Sequence, residues 1–140
     1  MLFRMGFVLR DHAEIEFQFH LAEERLNEAQ LLFDSGYYNG TVSRAYYAMF
    51  AIVQAALISR NIQVKTHTGL RSAFGIEFIQ KGIIDKEFGR ILSRGEHIRE
   101  EADYGSEKSI TKDEAEATLR TASSFIQVVK KNILNETHII

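Results

Sequence analysis

Apolar residues recur at alternating spacings of four and three residues over the first quarter of the chain. This period places them on one face of an α-helix, and most of the acidic residues between them fall on the opposite face. Asp11 and Glu14 have the spacing of a capping box, and Gly36 can adopt the left-handed conformation that ends a helix. The sequence therefore predicts an amphipathic helix from about residue 11 to 34, with a buried face of Ile15, Phe19, Ala22, Leu26, Ala29 and Phe33.

The next stretch carries apolar residues on more than one narrow face and is rich in alanine. We predict a helix from about residue 39 or 41 to residue 60, ended by Asn61. Because small residues let neighbouring helices approach closely, we expect this helix to be the most buried one. Its inward residues are Val42, Ala45, Tyr46, Met49, Ile52, Val53 and Ala56.

Three more helices are predicted after a connector over residues 62–68. A short one covers about residues 69–80, and a longer one covers 85–103, closed by Gly105. The last begins at a capping box of Thr111 and Glu114. The inward residues of the two longer helices are Phe88, Ile91, Leu92, Gly95, Ile98 and Ala102, then Ala115, Leu119, Ala122, Ile126, Val129 and Ile133.

Short connections between long helices favour antiparallel neighbours, and no stretch shows the sustained alternation of a strand. We therefore predict an all-α fold, an up-down four-helix bundle with an additional short helix. It would form a single domain over residues 1–140, with its core at about 11–134.

Composition limits the function classes. The chain has 140 residues, 45% of them hydrophobic and 26% charged, which is typical of a soluble globular protein. A net charge of −2 argues against duplex DNA as a partner, and no apolar run approaches the roughly 20 residues of a membrane span. Without cysteine, and with no two of the five histidines at the spacing of a zinc site, we expect no metal and no cofactor. A cytoplasmic location fits these features.

The tract from Arg99 to Gly105 is the most informative polar feature. Arg99 and Asp103 lie four residues apart on a helix and can pair, with Tyr104 next to them. Two interpretations are open: a helix-end ion pair with a packing tyrosine, or the floor of a polar site.

Two other polar clusters could contribute to a site. Arg44 and Tyr47 share one face of the second helix, where Arg44 needs an acidic or phosphate partner, and Asp103 is a candidate. Lys65 and His67 precede a helix, whose free N–H groups could bind an anion with them. The alternative is an exposed connector with a capping threonine.

Four segments in this order resemble the HEPN domain family (higher eukaryotes and prokaryotes nucleotide-binding). They are SRAYYAMF at 43–50, KTHTGL at 65–70, SAFG at 72–75 with Phe78, and REEADYG at 99–105. The resemblance runs from about residue 15 to 130 and is strongest to the small stand-alone prokaryotic branch. It implies a HEPN-like bundle that forms a homodimer, with Arg-bearing helices facing a shared cleft. It also implies a minimal nucleotidyltransferase as partner in a toxin–antitoxin module.

Active members of this family are metal-independent ribonucleases with a His four to six residues after the motif Arg. Here those positions hold Asp103, Tyr104 and Gly105. An ion-paired Asp103 is a poor base and Tyr104 would need a lowered pKa, whereas His67 or His97 of a partner subunit could substitute.

Three hypotheses follow. The leading one is a module that binds a nucleotide or RNA phosphate through Arg99, Arg44, Tyr47, Lys65 and His67 and docks the nucleotidyltransferase. The second is an endoribonuclease toxin that uses Arg99, Asp103 and Tyr104. The third is a purely structural network of Arg44, Arg99 and Asp103.

Overall fold

Five α-helices make up most of the computed structural model, which describes residues 2–105 and 109–137, with side chains described over 11–105 and 109–136. No strand occurs in these residues, so the all-α prediction is confirmed. The helices are α1 (Leu2–Asp34), α2 (Tyr38–Ile58), α3 (His67–Phe74), α4 (Lys86–Tyr104) and α5 (Lys112–Thr137), with one π-helical turn at Gly75–Ile79.

The four long helices alternate in direction. Asn39, at the start of α2, donates to the carbonyl of Ala102 at the end of α4 (3.1 Å), so these two helices are antiparallel. Arg60, just beyond α2, pairs with Glu136 in the last turn of α5 (2.9 Å), so α2 and α5 run in the same direction. A three-residue turn reverses the chain between α1 and α2. The predicted up-down bundle with a short extra helix is confirmed.

α2 lies at the centre of the bundle, as its alanine-rich faces predict. It contributes 13 buried residues out of 21. By length and composition alone α2 could cross a membrane, but 72% of its most apolar window is buried. Such burial is typical of the core helix of a soluble protein, which is how we interpret α2.

Several predicted helix ends are confirmed. The Thr111 hydroxyl oxygen accepts the Glu114 N–H (3.1 Å), and all six predicted inward residues of α5 are buried. Asn61 follows α2 with φ 62°, and Gly36 follows α1 with φ 83°. α4 ends at Tyr104, and Gly105 follows with an extended backbone (φ −72°, ψ 128°), in which a Cβ would collide with the carbonyl oxygen of Glu101.

Two predicted helix starts are wrong. α1 begins at Leu2, so Asp11 lies inside the helix and does not cap it. The residues before Asp11 include no proline and mostly favour helix, so the helix extends through them. α3 begins at His67, two residues earlier than predicted, because the Thr66 hydroxyl oxygen accepts the Gly69 N–H (2.9 Å).

Candidate functional site

Arg99 lies on the buried face of α4 and is 6% exposed. The buried residues of α4 are Leu92, Gly95, Glu96 and Arg99, at helical spacings that turn them all toward the bundle. The Arg99 guanidinium carbon lies 5.5 Å from the ring centroid of Tyr46 and 5.6 Å from that of Tyr47. An always-charged group is thus held against two aromatic rings of α2.

Most hydrogen-bond donors of Arg99 have no acceptor among the described residues. A guanidinium has five N–H donors. Nη1 donates to the Asp103 carboxylate at 3.3 Å, Nη2 lies 3.7 Å from the Glu100 carboxylate, and the buried Nε has no partner. Because buried donors are normally satisfied, a guanidinium in this state is suited to an anion with several acceptor oxygens. Its side chain retains 7% of its surface exposed.

His67 lies against the same two tyrosine rings. Its ring centroid is 5.6 Å from that of Tyr46, 6.0 Å from that of Tyr47 and 4.9 Å from that of Phe50. As the first residue of α3, His67 is positioned by the Thr66 cap. Its Nδ1 lies 2.8 Å from the hydroxyl oxygen of Tyr46, which is fully buried.

Burial and the nearby charges shift the pKa values of both hydrogen-bonded side chains, His67 and Tyr46. Burial lowers the pKa of His67, and the positive charges of Arg99 and Arg71 lower it further, whereas Glu100 opposes them. His67 is therefore neutral at pH 7. Burial raises the pKa of Tyr46 to about 12, although Arg99 and Arg71 act in the opposite direction, so its hydroxyl stays protonated.

The pKa of Arg99 is itself shifted upward. Burial favours the neutral guanidine, but the nearby Tyr47 and the hydrogen bond and charge of Asp103 outweigh burial and raise the pKa. Arg99 is a permanent cation.

A second cation, Arg71 of α3, pairs with the carboxylate of Glu96 on α4. The Glu96 side chain is 7% exposed and that of Arg71 is 33% exposed. The pair links α3 to α4 and keeps Arg71 close enough to His67 and Tyr46 to affect their pKa values. It fixes the element that carries His67 against the helix that carries Arg99.

The structure brings together only some of the residues predicted for the site. Arg99, Asp103, Tyr47 and His67 form one cluster. Arg44 is exposed and makes no hydrogen bond or ion pair with the described residues. The predicted pairing of Arg44 with Asp103 is wrong, because Arg44 lies on the solvent side of α2. Its neighbour Ser43 contacts the Asp103 carboxylate instead (3.4 Å).

Three other residues lie apart from the cluster or at its edge. Lys65 is exposed and lines a different groove, of about 430 Å³, that Phe17 of α1 also lines. Tyr104 is 79% exposed, so the interpretation of it as a packing residue is wrong. The side chain of His97 is 73% exposed and pairs with Glu101 (3.0 Å).

Sequence reasoning missed Tyr46 as a polar residue, and also Arg71 and Glu96. The helical period assigned Tyr46 correctly to the core but gave no information on its hydroxyl. Glu96 follows Gly95 on the inward face of α4, so a charge next to an inward glycine was the available signal. Nothing local pointed to Arg71, whose partner is 25 residues away.

No three His, Asp or Glu side chains come together as a metal site within the described ranges. The polar groups of the cluster are the cations Arg99 and Arg71, the neutral imidazole of His67, and the hydroxyls and carboxylates around them.

Comparisons with known proteins agree with the motifs quoted above. The model of the HEPN domain family matches residues 15–133. Two Methanocaldococcus jannaschii proteins, each named "Putative toxin", are 37% and 34% identical to this chain. The first alignment covers 84% of this chain and 87% of the relative, and the second covers 91% and 87%. A UPF0332 protein of Thermotoga maritima is 31% identical over 85% of this chain and 90% of its own length.

Proposed function

Since the chain belongs to the HEPN domain family, we propose that it is a toxin-like HEPN protein that binds a phosphate of single-stranded RNA or of a nucleotide at Arg99. The observation that carries this proposal is the hydrogen bonding of Arg99. A buried guanidinium that donates one hydrogen bond to the described residues has donors left for phosphate oxygens.

The aromatic residues beside Arg99 favour a nucleic-acid ligand over a free anion. Tyr47, Phe50 and His67 are half-buried and their rings lie close to one another, so part of each residue remains exposed. Unpaired bases stack on such rings at about 1–3 kcal/mol per base, whereas duplex bases are not available for stacking. With a net charge of −2, the attraction for phosphate has to be local, and Arg99 with the nearby Arg71 supplies it.

RNA binding by charge-matched variants tests the proposal. We would measure the fluorescence anisotropy of a labelled mixed-sequence single-stranded RNA with the wild type, Arg99→Ala and Arg90→Ala. Arg90 is on the same helix, nine residues earlier, and its side chain is 61% exposed, so it controls for loss of one positive charge. We expect a tenfold or larger loss of affinity for Arg99→Ala and less than a twofold loss for Arg90→Ala, with unchanged circular dichroism. Equal losses would mean unspecific attraction and would contradict the proposal.

A metal-independent endoribonuclease is the second candidate, and one observation favours it. His67 is neutral at pH 7 and shares the Tyr46 and Tyr47 rings with Arg99, so an acid–base group and a phosphate-stabilising cation lie in one cluster. This candidate predicts cleavage of RNA in excess chelator, lost in Arg99→Ala and in His67→Gln. Intact RNA after long incubation with the wild type would exclude it and leave binding.

We also propose a homodimer and a nucleotidyltransferase partner. The family resemblance supports both, and the word toxin in the names of two relatives supports a neutralising partner. Sedimentation equilibrium of the purified chain tests the dimer. Co-purification of the tagged chain with a minimal nucleotidyltransferase encoded by an adjacent gene tests the partner, and a monomer that captures no such protein would contradict both.

A further inference from the structure

The hydroxyl group of Tyr46 has a single hydrogen-bond partner among the described residues, and that partner is Nδ1 of His67 at 2.8 Å. Tyr46 is fully buried, so water does not offer its hydroxyl an alternative. His67 is half-buried, and its two ring nitrogens diverge, so Nε2 points away from the buried hydroxyl.

Two arrangements of protons fit this distance. In one, Nδ1 of His67 carries the proton and donates to the Tyr46 oxygen. The buried hydroxyl proton of Tyr46 then has no acceptor, which costs about 1–3 kcal/mol. In the other, the Tyr46 hydroxyl donates to a bare Nδ1, the neutral imidazole carries its proton on Nε2, and no buried donor is left without an acceptor. Hydrogen-bond satisfaction selects the second arrangement.

We propose that Tyr46 is a positioning residue that holds His67 in the Nε2–H tautomer, so that His67 offers a neutral N–H donor to the phosphate bound at Arg99. The ligand in this statement rests on the proposed function, whereas the tautomer does not. A phosphate between the two groups would accept one charged and one neutral hydrogen bond.

The charged groups around His67 are consistent with a donor that works without protonation. Arg71 faces it from α3, Arg99 and Glu100 from α4, and Tyr46 and Tyr47 from α2. A protonated His67 would add a third cation to two existing ones, whereas a neutral Nε2–H adds none. We therefore expect the affinity for the single-stranded RNA to change less than twofold between pH 6.5 and 8.

The same tautomer bears on the choice between binding and cleavage. An Nε2 that already carries a proton cannot take one from a ribose 2′-hydroxyl, and the Nδ1 lone pair is occupied by Tyr46. His67 in this state donates hydrogen bonds and does not act as the general base. The tautomer therefore favours a binding role.

Nitrogen-15 NMR of histidine-labelled protein, without RNA, measures the tautomer directly. His67→Gln assigns the His67 signals. We expect the Nε2–H pattern in the wild type and in Tyr47→Phe, which keeps the Tyr46 hydroxyl, and a mixture of tautomers in Tyr46→Phe. An Nδ1–H pattern in the wild type would overturn the proposal, as would an unchanged pattern in Tyr46→Phe. The wild-type spectrum decides even if Tyr46→Phe does not fold.

RNA anisotropy tests the functional half. We expect Tyr46→Phe and His67→Ala each to weaken RNA binding three- to tenfold, and the double variant to be no worse than His67→Ala alone, because the two residues act through one donor. Tyr37→Phe, at an exposed tyrosine outside the cluster, should bind as the wild type does. If Arg99→Ala weakens RNA binding but neither Tyr46→Phe nor His67→Ala does, the positioning role is refuted while the proposed function survives. If Arg99→Ala has no effect, the proposed function fails and the tautomer result is unaffected.

Discussion

Replacing Arg99 by methionine should remove ligand binding without destabilising the fold. Methionine has a similar length and is flexible, so it can fill the space against the Tyr46 and Tyr47 rings. The substitution leaves the Asp103 carboxylate without its partner, but that side chain is 32% exposed and water can solvate it. The Nε that lacks a partner is removed as well.

The expected magnitude follows from the contacts that Arg99 makes. A partly exposed ion pair contributes about 0.2–1 kcal/mol, and contact with two rings contributes about 1–2 kcal/mol. Against these stands the desolvation of a guanidinium that is 6% exposed, which costs several kcal/mol. We therefore expect Arg99→Met to leave the free energy of unfolding unchanged or to raise it by about 1–3 kcal/mol.

The same substitution at Arg71 provides a matched control with the opposite sign. Arg71→Met would leave the Glu96 carboxylate, 7% exposed, without its charged partner, which should lower the free energy of unfolding by about 3 kcal/mol. Urea unfolding followed by circular dichroism measures both variants, and RNA anisotropy measures binding. A loss of more than 1 kcal/mol in Arg99→Met would refute the reasoning, because Arg99 would then be a net stabiliser, as the structural-network hypothesis requires.

Three further predictions concern the surroundings of the site. The pKa of His67 is lowered in the folded chain, so the unfolded chain binds the proton more tightly, and the free energy of unfolding should fall as the pH drops below about 6.5. Urea unfolding should show a smaller fall for His67→Gln than for the wild type, and an equal fall would contradict this reasoning. The raised pKa of Tyr46 should appear in an ultraviolet absorbance titration as one tyrosine that ionises near pH 12, and the stabilisation should be lost between about pH 10 and 12. Ionisation of all five tyrosines below pH 11 would contradict this. Asn39→Ala removes two hydrogen bonds of 3.1 Å between the start of α2, the end of α4 and the approach to α5, and should cost about 1–2 kcal/mol; a change below 0.3 kcal/mol in urea unfolding would show that these bonds contribute nothing.

The fold was predictable because its signals are local. A helical period of apolar residues identifies each long helix, and Thr111, Gly36 and Asn61 mark ends through their own side-chain or backbone chemistry. The start of α1 was not predictable, because a capping box at Asp11 describes a possible cap and does not force the preceding residues out of the helix.

The site was predictable only where its chemistry is contiguous in sequence. Arg99 and Asp103 lie one turn apart, so their pairing follows from helix geometry. The contact of Tyr46 with His67 spans 21 residues and depends on how α3 docks on α2, which periodicity does not specify. The predicted pairing of Arg44 with Asp103 was wrong for a related reason, because the face of α2 that meets α4 contains Ser43 and not Arg44.

The positions of protons in the cluster restrict the chemistry that a single chain can perform. Cleavage at a ribose 2′-hydroxyl needs a base, and the hydrogen bonds of the cluster limit the candidates. Oδ2 of Asp103 accepts from Arg99 and Ser43, and the proposed tautomer leaves His67 without a free nitrogen. Tyr104 is exposed. The groups against the aromatic rings are hydrogen-bond donors: the permanent cation Arg99 and, in the proposed tautomer, the neutral N–H of His67. Cleavage that needs Arg99 but survives His67→Gln would therefore point to Asp103, whose Oδ1 makes no hydrogen bond with the described residues, or to a base outside this cluster. Binding without cleavage is the result that the donors of Arg99 and His67 predict.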